Sequence, residues 1–312
     1  MITVIILSYK SPDLKGALDS VFVQDYPEIQ LIVVDDGTPD FDKSAIENYI
    51  AKLRRSNITD AQLLVNSENL GTVKSLNRGI TQSLGEYVFL LAGDDQFASP
   101  VTLSSWVDAF KQTGALVMTS YRDVYDSQLK HWLMKAPSPK EVTLIENCSP
   151  KQLFETIGSV NFILGCCTAF NRQIFERYGL FDERYRLIED HPMVLKLLRE
   201  GVCIHFFHQV SVKYRSSGTS SPAQYNQLYA NDVEAIFENE ILPYTSNLVR
   251  ATRQMGRWKT KRMRAAALQQ RIRQSPNTKI TIVVARLRYH MLYPIETLVS
   301  LITKCRAKFT RR

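Results

Sequence analysis

Residues 88–100 read VFLLAGDDQFASP, an apolar run that stops at Gly93 and two adjacent aspartates, Asp94 and Asp95. The run has the length and character of a buried strand. Two like charges at its end repel each other, and burial makes the repulsion worse. Either the pair is a solvated turn or something cationic sits there. Mg2+ and Mn2+ suit the second reading, because they are held by one or two carboxylates together with substrate phosphates rather than by a full protein cage.

The stretch closes a longer alternation. ITVIIL (2–7), QLIVV (30–34), AQLLV (61–65) and YVFLLA (87–92) read as strands. Between them, 11–24, 43–55 and 71–84 have helical spacing, the first with Ser11 as N-cap and Pro12 at its first position. Such alternation predicts a parallel sheet with right-handed crossovers and helices on both faces. Ligands of open α/β sheets bind at the carboxyl ends of the strands, and here those ends carry Ser8-Tyr9, Asp35-Asp36 and Asp94-Asp95. No GxGxxG follows the first strand and no GxxxxGK[ST] occurs, so dinucleotide and P-loop chemistry are disfavoured.

Beyond residue 120 the alternation weakens. Residues 121–160 read as loop-rich, with KAPSPKE as a break and Trp132 as a candidate stacking platform. NFILGCCTAF (161–170) and VCIHFFHQVSVKY (202–214) read as strands, and His205 and His208 within the second are expected to be structural. In LIEDHPMVLKL, Pro192 suits a first helical position with His191 as N-cap, leaving Glu189 and Asp190 just ahead. That acid pair either complements the helix dipole or supplies a general base for a hydroxyl.

Taken in order, VIILSYK, IVVDDGTPD, NLGTVKSLNRGI, VFLLAGDDQF, GLFDERY and IEDHPMVLKL resemble the family 2 inverting glycosyltransferases of the GT-A fold, over residues 1–215. The resemblance implies a Rossmann-like mixed α/β sheet and transfer of a sugar from a nucleotide-sugar donor to a glycan or lipid-linked glycan. It places Ser8, Tyr9, Asp35, Asp36, Asn69, Gly71, Lys74, Asn77 and Asp94 around the donor nucleotide. It assigns Asp95 and Asp94 to Mn2+ or Mg2+, and makes Asp190 the base with Glu189 its neighbour. Asp182 is expected to form a turn. Two departures stand out: the family's DxDD reads Ala92-Gly93-Asp94-Asp95, and the segment after Tyr214-Arg215 lacks the histidine that many relatives carry.

The net charge of +8 divides unevenly. From residue 251 onward there are 16 Lys and Arg against a single acid, Glu296, while residues 1–250 carry 23 bases and 30 acids. The resemblance implies a catalytic domain over 1–215, and the linker SSGTSSPAQ (216–224) then opens a basic, mostly helical extension over 216–312 whose charge favours an anionic partner. The apolar stretch 280–304 is interrupted by Arg286, Arg288, His290, Pro294 and Glu296, so it is expected to lie on an anionic membrane surface rather than cross it. The alternatives are a helical cap on the catalytic domain and a surface for homo-oligomers. No fold for specific nucleic-acid recognition is legible. MITVIILSYK lacks a signal peptide's basic start, and five cysteines without CxxC spacing suit a reducing compartment. The expected location is therefore cytoplasmic, at the inner face of the cell membrane.

Overall fold

The computed structural model describes residues 1–158, 160–216, 226–250 and 252–259. The 216–224 linker, apart from Ser216, and the tail from residue 260 onward lie outside the described residues.

Four parallel strands form the first half of the sheet: β1 (Ile2–Ser8), β2 (Ile29–Asp35), β3 (Ile58–Val65) and β4 (Tyr87–Ala92), in the order β3-β2-β1-β4. Helices α1 (Leu14–Phe22), α2 (Lys43–Leu53) and α3 (Thr72–Thr81) connect them. Side chains alternate across a strand. Val4 and Ile6 of β1 accordingly join a core with Leu18, Leu31, Trp106 and Phe110, and Ile5 joins the opposite core with Ile32, Val73 and Leu76.

The second half breaks the parallel rule. After β5 (Gln96–Phe97) and α4 (Thr102–Thr113) come β6 (Val117–Tyr125) and β7 (Trp132–Ala136), an antiparallel hairpin, then α5 (Pro139–Asn147) and α6 (Pro150–Ile157). They are followed by β8 (Thr168–Asn171), α7 (Gln173–Tyr178), α8 (Asp190–Arg199), β9 (His205–Arg215) and α9 (Gln227–Ile236). Strand β8 lies antiparallel between β4 and β6, while β9 runs parallel to β6 and pairs Arg215 with Tyr125. The sheet is thus mixed, with order β3-β2-β1-β4-β8-β6-β9-β5.

Several local expectations are corrected. The 121–160 stretch is not loop: Ser138 with Glu141 and Ser149 with Gln152 form capping boxes that start α5 and α6. Residues 165–167 form a 3-10 turn, so the strand expected over 161–170 begins only at Thr168. Helix α1 starts at Leu14 rather than behind Ser11, and Asp13 does not cap it because its carboxylate is bound to Arg215. Helix α8 starts at Asp190, so Pro192 occupies the third helical position. Proline is tolerated there because the first-turn N–H groups have no intrahelical partner. His208 is exposed and contacts Glu146 on α5.

The folded unit continues past residue 215. Ile236, Phe237, Ile241 and Met255 pack into the core that holds Ile5 and Leu76. Among the described residues, no helix is long and apolar enough to cross a membrane.

Candidate active site

The carboxyl end of β4 delivers Asp94 and Asp95, and the last residue of β9, Arg215, closes over them. Asp95 is buried, and its Oδ1 accepts the Arg215 N–H at 2.7 Å. Its Oδ2 is buried with no hydrogen-bond partner. The Arg215 guanidinium donates to the Asp94 carbonyl (2.8 Å), the Ser127 carbonyl (2.6 Å) and Asp13 Oδ2 (2.8 Å). Burial, and then the charge of Asp94, pushes the Asp95 carboxyl well above the usual carboxylate range; burial also raises Asp94. A buried, unpartnered carboxylate oxygen costs several kcal/mol (~1–3, more for charged groups) unless something answers it. The donor set therefore fits a divalent cation. No group of three or more His, Cys, Asp or Glu side chains that could hold a metal occurs among the described residues. The pair would leave most coordination positions to a ligand.

The second acid pair sits at the start of α8. Asp190 Oδ2 accepts the Gly165 N–H at 2.8 Å and Oδ1 the His191 N–H at 2.6 Å. A Cβ on Gly165 would lie 2.4 Å from Glu189 Oε1, so any larger residue there would displace the Glu189 carboxyl. Burial raises the Asp190 carboxyl, opposed by these two N–H groups and by Arg122. Burial, followed by the charge of Asp190, pushes Glu189 up to about 8. At neutral pH Glu189 is therefore mainly the neutral acid, while the two N–H groups and Arg122 favour the charged form of Asp190, the kind of divergence that separates acid and base roles. Burial holds His191 down at about 4, so it is neutral as well.

Arg122 of β6 links the two pairs: its charge favours the ionised forms of both Asp95 and Asp190. The guanidinium lies 5.5 Å from the Tyr214 ring centroid, and its Nε is buried with no partner. From α9, Asp232 Oδ2 accepts the N–H groups of Arg186, Leu187 and Ile188, which fixes the approach to Glu189. Tyr229 of the same helix is pushed up to about 12, by burial first and then by the Asp190 charge.

The raised Glu189 carboxyl makes stability pH-dependent. Its native state holds a proton that the unfolded chain releases near the ordinary glutamate value, so the stabilisation present at low pH disappears as pH rises through about 8. Glu189→Gln should lose less stability than the parent between about pH 5 and pH 9, by on the order of 2 kcal/mol. Urea unfolding at both pH values measures the difference; equal losses would place the Glu189 proton elsewhere.

The Asp35-Asp36 pair is built into the fold. Asp35 Oδ1 and Oδ2 accept from the Thr38 N–H and hydroxyl, both at 2.8 Å. Asp36 accepts five bonds, from Asn66 Nδ2, Leu70 N and Ser75 Oγ on one oxygen and Asn69 Nδ2 and Gly71 N on the other. Both carboxylates are buried, and their bonds fix the turn after β2 and the loop between β3 and α3. Asn77 is likewise held within the fold. Its amide clamps Phe181 through N–H and carbonyl and also reaches Glu183, so it holds the 179–185 loop against α3.

The remaining expected residues keep to the same edge. Ser8 is buried beside Asp35 in the β1–β2 register, and Tyr9 is exposed with the Lys10 ammonium over its ring. Asn69 is held by Asp36 and Arg186. Gly71 has φ +93°, and a Cβ there would meet Arg186 at 2.5 Å. Lys74 is exposed on the first turn of α3. Asp182 forms its turn by accepting the Arg184 N–H. Asp13, Arg122, Arg215, Tyr229 and Asp232 were not expected. Only the position of Arg215, at the end of a recognisable strand, gave any signal in the sequence.

A mixed sheet that gathers acid pairs at its strand ends is the GT-A glycosyltransferase architecture, and the comparisons agree. Residues 3–179 match the model of glycosyl transferase family 2, and the chain belongs to that family. It is 24% identical over 253 residues to an uncharacterised glycosyltransferase of Rickettsia typhi, covering 78% of this chain and 74% of that one. It is also 24% identical to the uncharacterised glycosyltransferase EpsJ of Bacillus subtilis, covering 70% and 62%. Among solved structures, the mannosyltransferase PcManGT of Pyrobaculum calidifontis, in complex with GDP-Man and Mn2+, superposes with a TM-score of 0.60 at 18% identity, covering 96% of this chain and 83% of that one. TarS 1–349 of S. aureus, in complex with UDP-GlcNAc, gives 0.58 at 18% identity, covering 83% and 72%. The protein is a glycosyltransferase.

Proposed function

We propose that this glycosyltransferase moves a sugar from a nucleoside-diphosphate donor to a hydroxyl of a glycan or lipid-linked glycan, by direct displacement that inverts the anomeric centre. The observation that carries the reading is the buried, unpartnered Oδ2 of Asp95 beside Asp94. Asp95 and Asp94 would hold Mn2+ or Mg2+ with the donor diphosphate, and the ion when bound neutralises charge on the leaving group. The likeness to chains solved with UDP-GlcNAc and with GDP-Man and Mn2+ supports a nucleotide-sugar donor.

The chain's own residues supply the rest. Asp190 accepts the proton of the attacking hydroxyl; Gly165, His191 and Arg122 keep it ionised for that step. Neutral Glu189 beside it can donate a hydrogen bond to the acceptor sugar without adding a second negative charge. Arg122 Nε offers a donor to an anionic or hydroxyl oxygen entering the site. Ser8, Tyr9, Asn69, Gly71 and Lys74 border the nucleotide, on loops set by Asp35 and Asp36. The enzyme works at the cytoplasmic face of the membrane.

Thermal melting against a panel of nucleoside diphosphates and nucleotide sugars, with and without Mn2+, tests the reading. A donor at about 100 times its Kd adds roughly 2.7 kcal/mol of stability. One nucleotide should shift the melting point only with metal, and Asp95→Asn should abolish that shift. No shift from any nucleotide would remove Asp94-Asp95 as a donor site.

A further inference from the structure

Strand β7 has no partner other than β6 among the described residues, and it exposes three consecutive large apolar side chains. Trp132 is 55% exposed, and Leu133 and Met134 are each 52% exposed. Successive side chains point to opposite faces of a strand, so both faces of this hairpin are apolar and open. A protein partner would cover one face or extend the edge, whereas a bilayer surrounds both. An uncovered apolar edge is otherwise an aggregation hazard.

The charge around the strand selects the surface. Lys130, His131 and Lys135 flank the apolar residues. Of the nearby acids, Asp123 of β6 stands opposite Lys135 with its Oδ1 buried, and Asp126 is turned into the hairpin tip, where it accepts from the N–H groups of Gln128 and Lys130 and contacts His131 Nδ1. Outward charge at the tip is therefore basic, as it is over the segment after residue 250. Tryptophan beside lysine favours the headgroup region of an anionic membrane.

We infer that the β6–β7 hairpin is a membrane-contact element whose Trp132, Leu133 and Met134 enter the headgroup region of an anionic bilayer. The hairpin is joined to the acid pair, because Arg215 donates to Ser127 in its tip and to the Asp94 carbonyl with the same guanidinium. Docking the hairpin thus fixes the height of Asp94-Asp95 beneath the lipid surface. The use of that placement rests on the lipid-linked acceptor proposed above; the contact itself does not.

Full-length protein is mixed with vesicles of phosphatidylcholine, alone or with phosphatidylglycerol, at low and high salt. Salt screens the basic tail but leaves apolar insertion. Lipids brominated along the acyl chain should quench wild-type fluorescence, and Trp132→Phe should remove most of that quenching. The variant carrying Trp132→Ser, Leu133→Ser and Met134→Ser should lose at least about tenfold in affinity for anionic vesicles at high salt. Leu133→Lys, a milder change, should lose affinity in the same direction. Both should keep the metal-dependent nucleotide shift, which separates failure of this inference from failure of the donor site. Unchanged vesicle affinity at high salt in the two variants overturns the inference. So does an effect of Trp132→Phe confined to the KM of a soluble glycan acceptor, which would make Trp132 a sugar platform.

Discussion

Asp190→Asn lowers kcat by about three orders of magnitude and leaves the nucleotide-induced melting shift intact. The substitution removes the carboxyl whose charged form Gly165, His191 and Arg122 favour, while Glu189 is mainly neutral below about pH 8. Glu189 cannot take over in that range, because its proton is held by burial. The amide also costs one of the two bonds that Asp190 accepts from Gly165 and His191, so a modest fall in melting temperature accompanies the loss of activity. Donor affinity is the discriminating measurement, because Asp94 and Asp95 follow β4 and lie outside α8. In the parent enzyme, activity should decline with falling pH through a value above the ordinary aspartate range, where the raised Asp190 carboxyl takes up its proton. Retention of more than about a tenth of the parent kcat by the asparagine variant would falsify the assignment of Asp190 as base.

Asp36→Ala carries the largest expected effect on stability. Removing the carboxylate strands five donors, among them the Leu70 and Gly71 N–H groups and the Ser75 hydroxyl. Breaking a buried charged network from one side costs about 3–5 kcal/mol. With a urea m value of about 1–3 kcal/mol/M, the unfolding midpoint falls by at least about 1 M. Asp36→Asn should fall between variant and parent, since its amide oxygen still accepts while its NH2 meets other donors. A loss of less than about 1 kcal/mol in the alanine variant would mean that the Asn66–Ser75 loop finds other partners without strain.

The first half of the fold was legible because its information is local. Strands and helices through β4 announce themselves by periodicity, and their parallel order follows from the connections. The second half depends on pairings between distant segments. Nothing in TAFN (168–171) says that it runs antiparallel between β4 and β6, or that β9 returns beside β6. The two helices in 121–160 are a different case: Ser138-Pro139 with Glu141 and Ser149-Pro150 with Gln152 were readable as helix starts. At the site, the sequence located acid pairs but not their duties. Asp36 and Asp95 are both the second aspartate of a pair at a strand end, yet one has five donors and the other a bare oxygen. Only the surrounding segments decide which, and those are residues 66–75, where a loop enters α3, and the end of β9 at 211–215.

Arg215 sets an order on how the enzyme becomes active as it is made. A growing chain that has released its first two hundred residues already contains both acid pairs. It still lacks the guanidinium that binds Asp13, Asp94 and Ser127, and the helix whose Asp232 braces residues 186–188. A chain that ends before Arg215 keeps both acid pairs without these contacts. Such a product is expected to show no glycosyl transfer, which an activity assay of that chain checks.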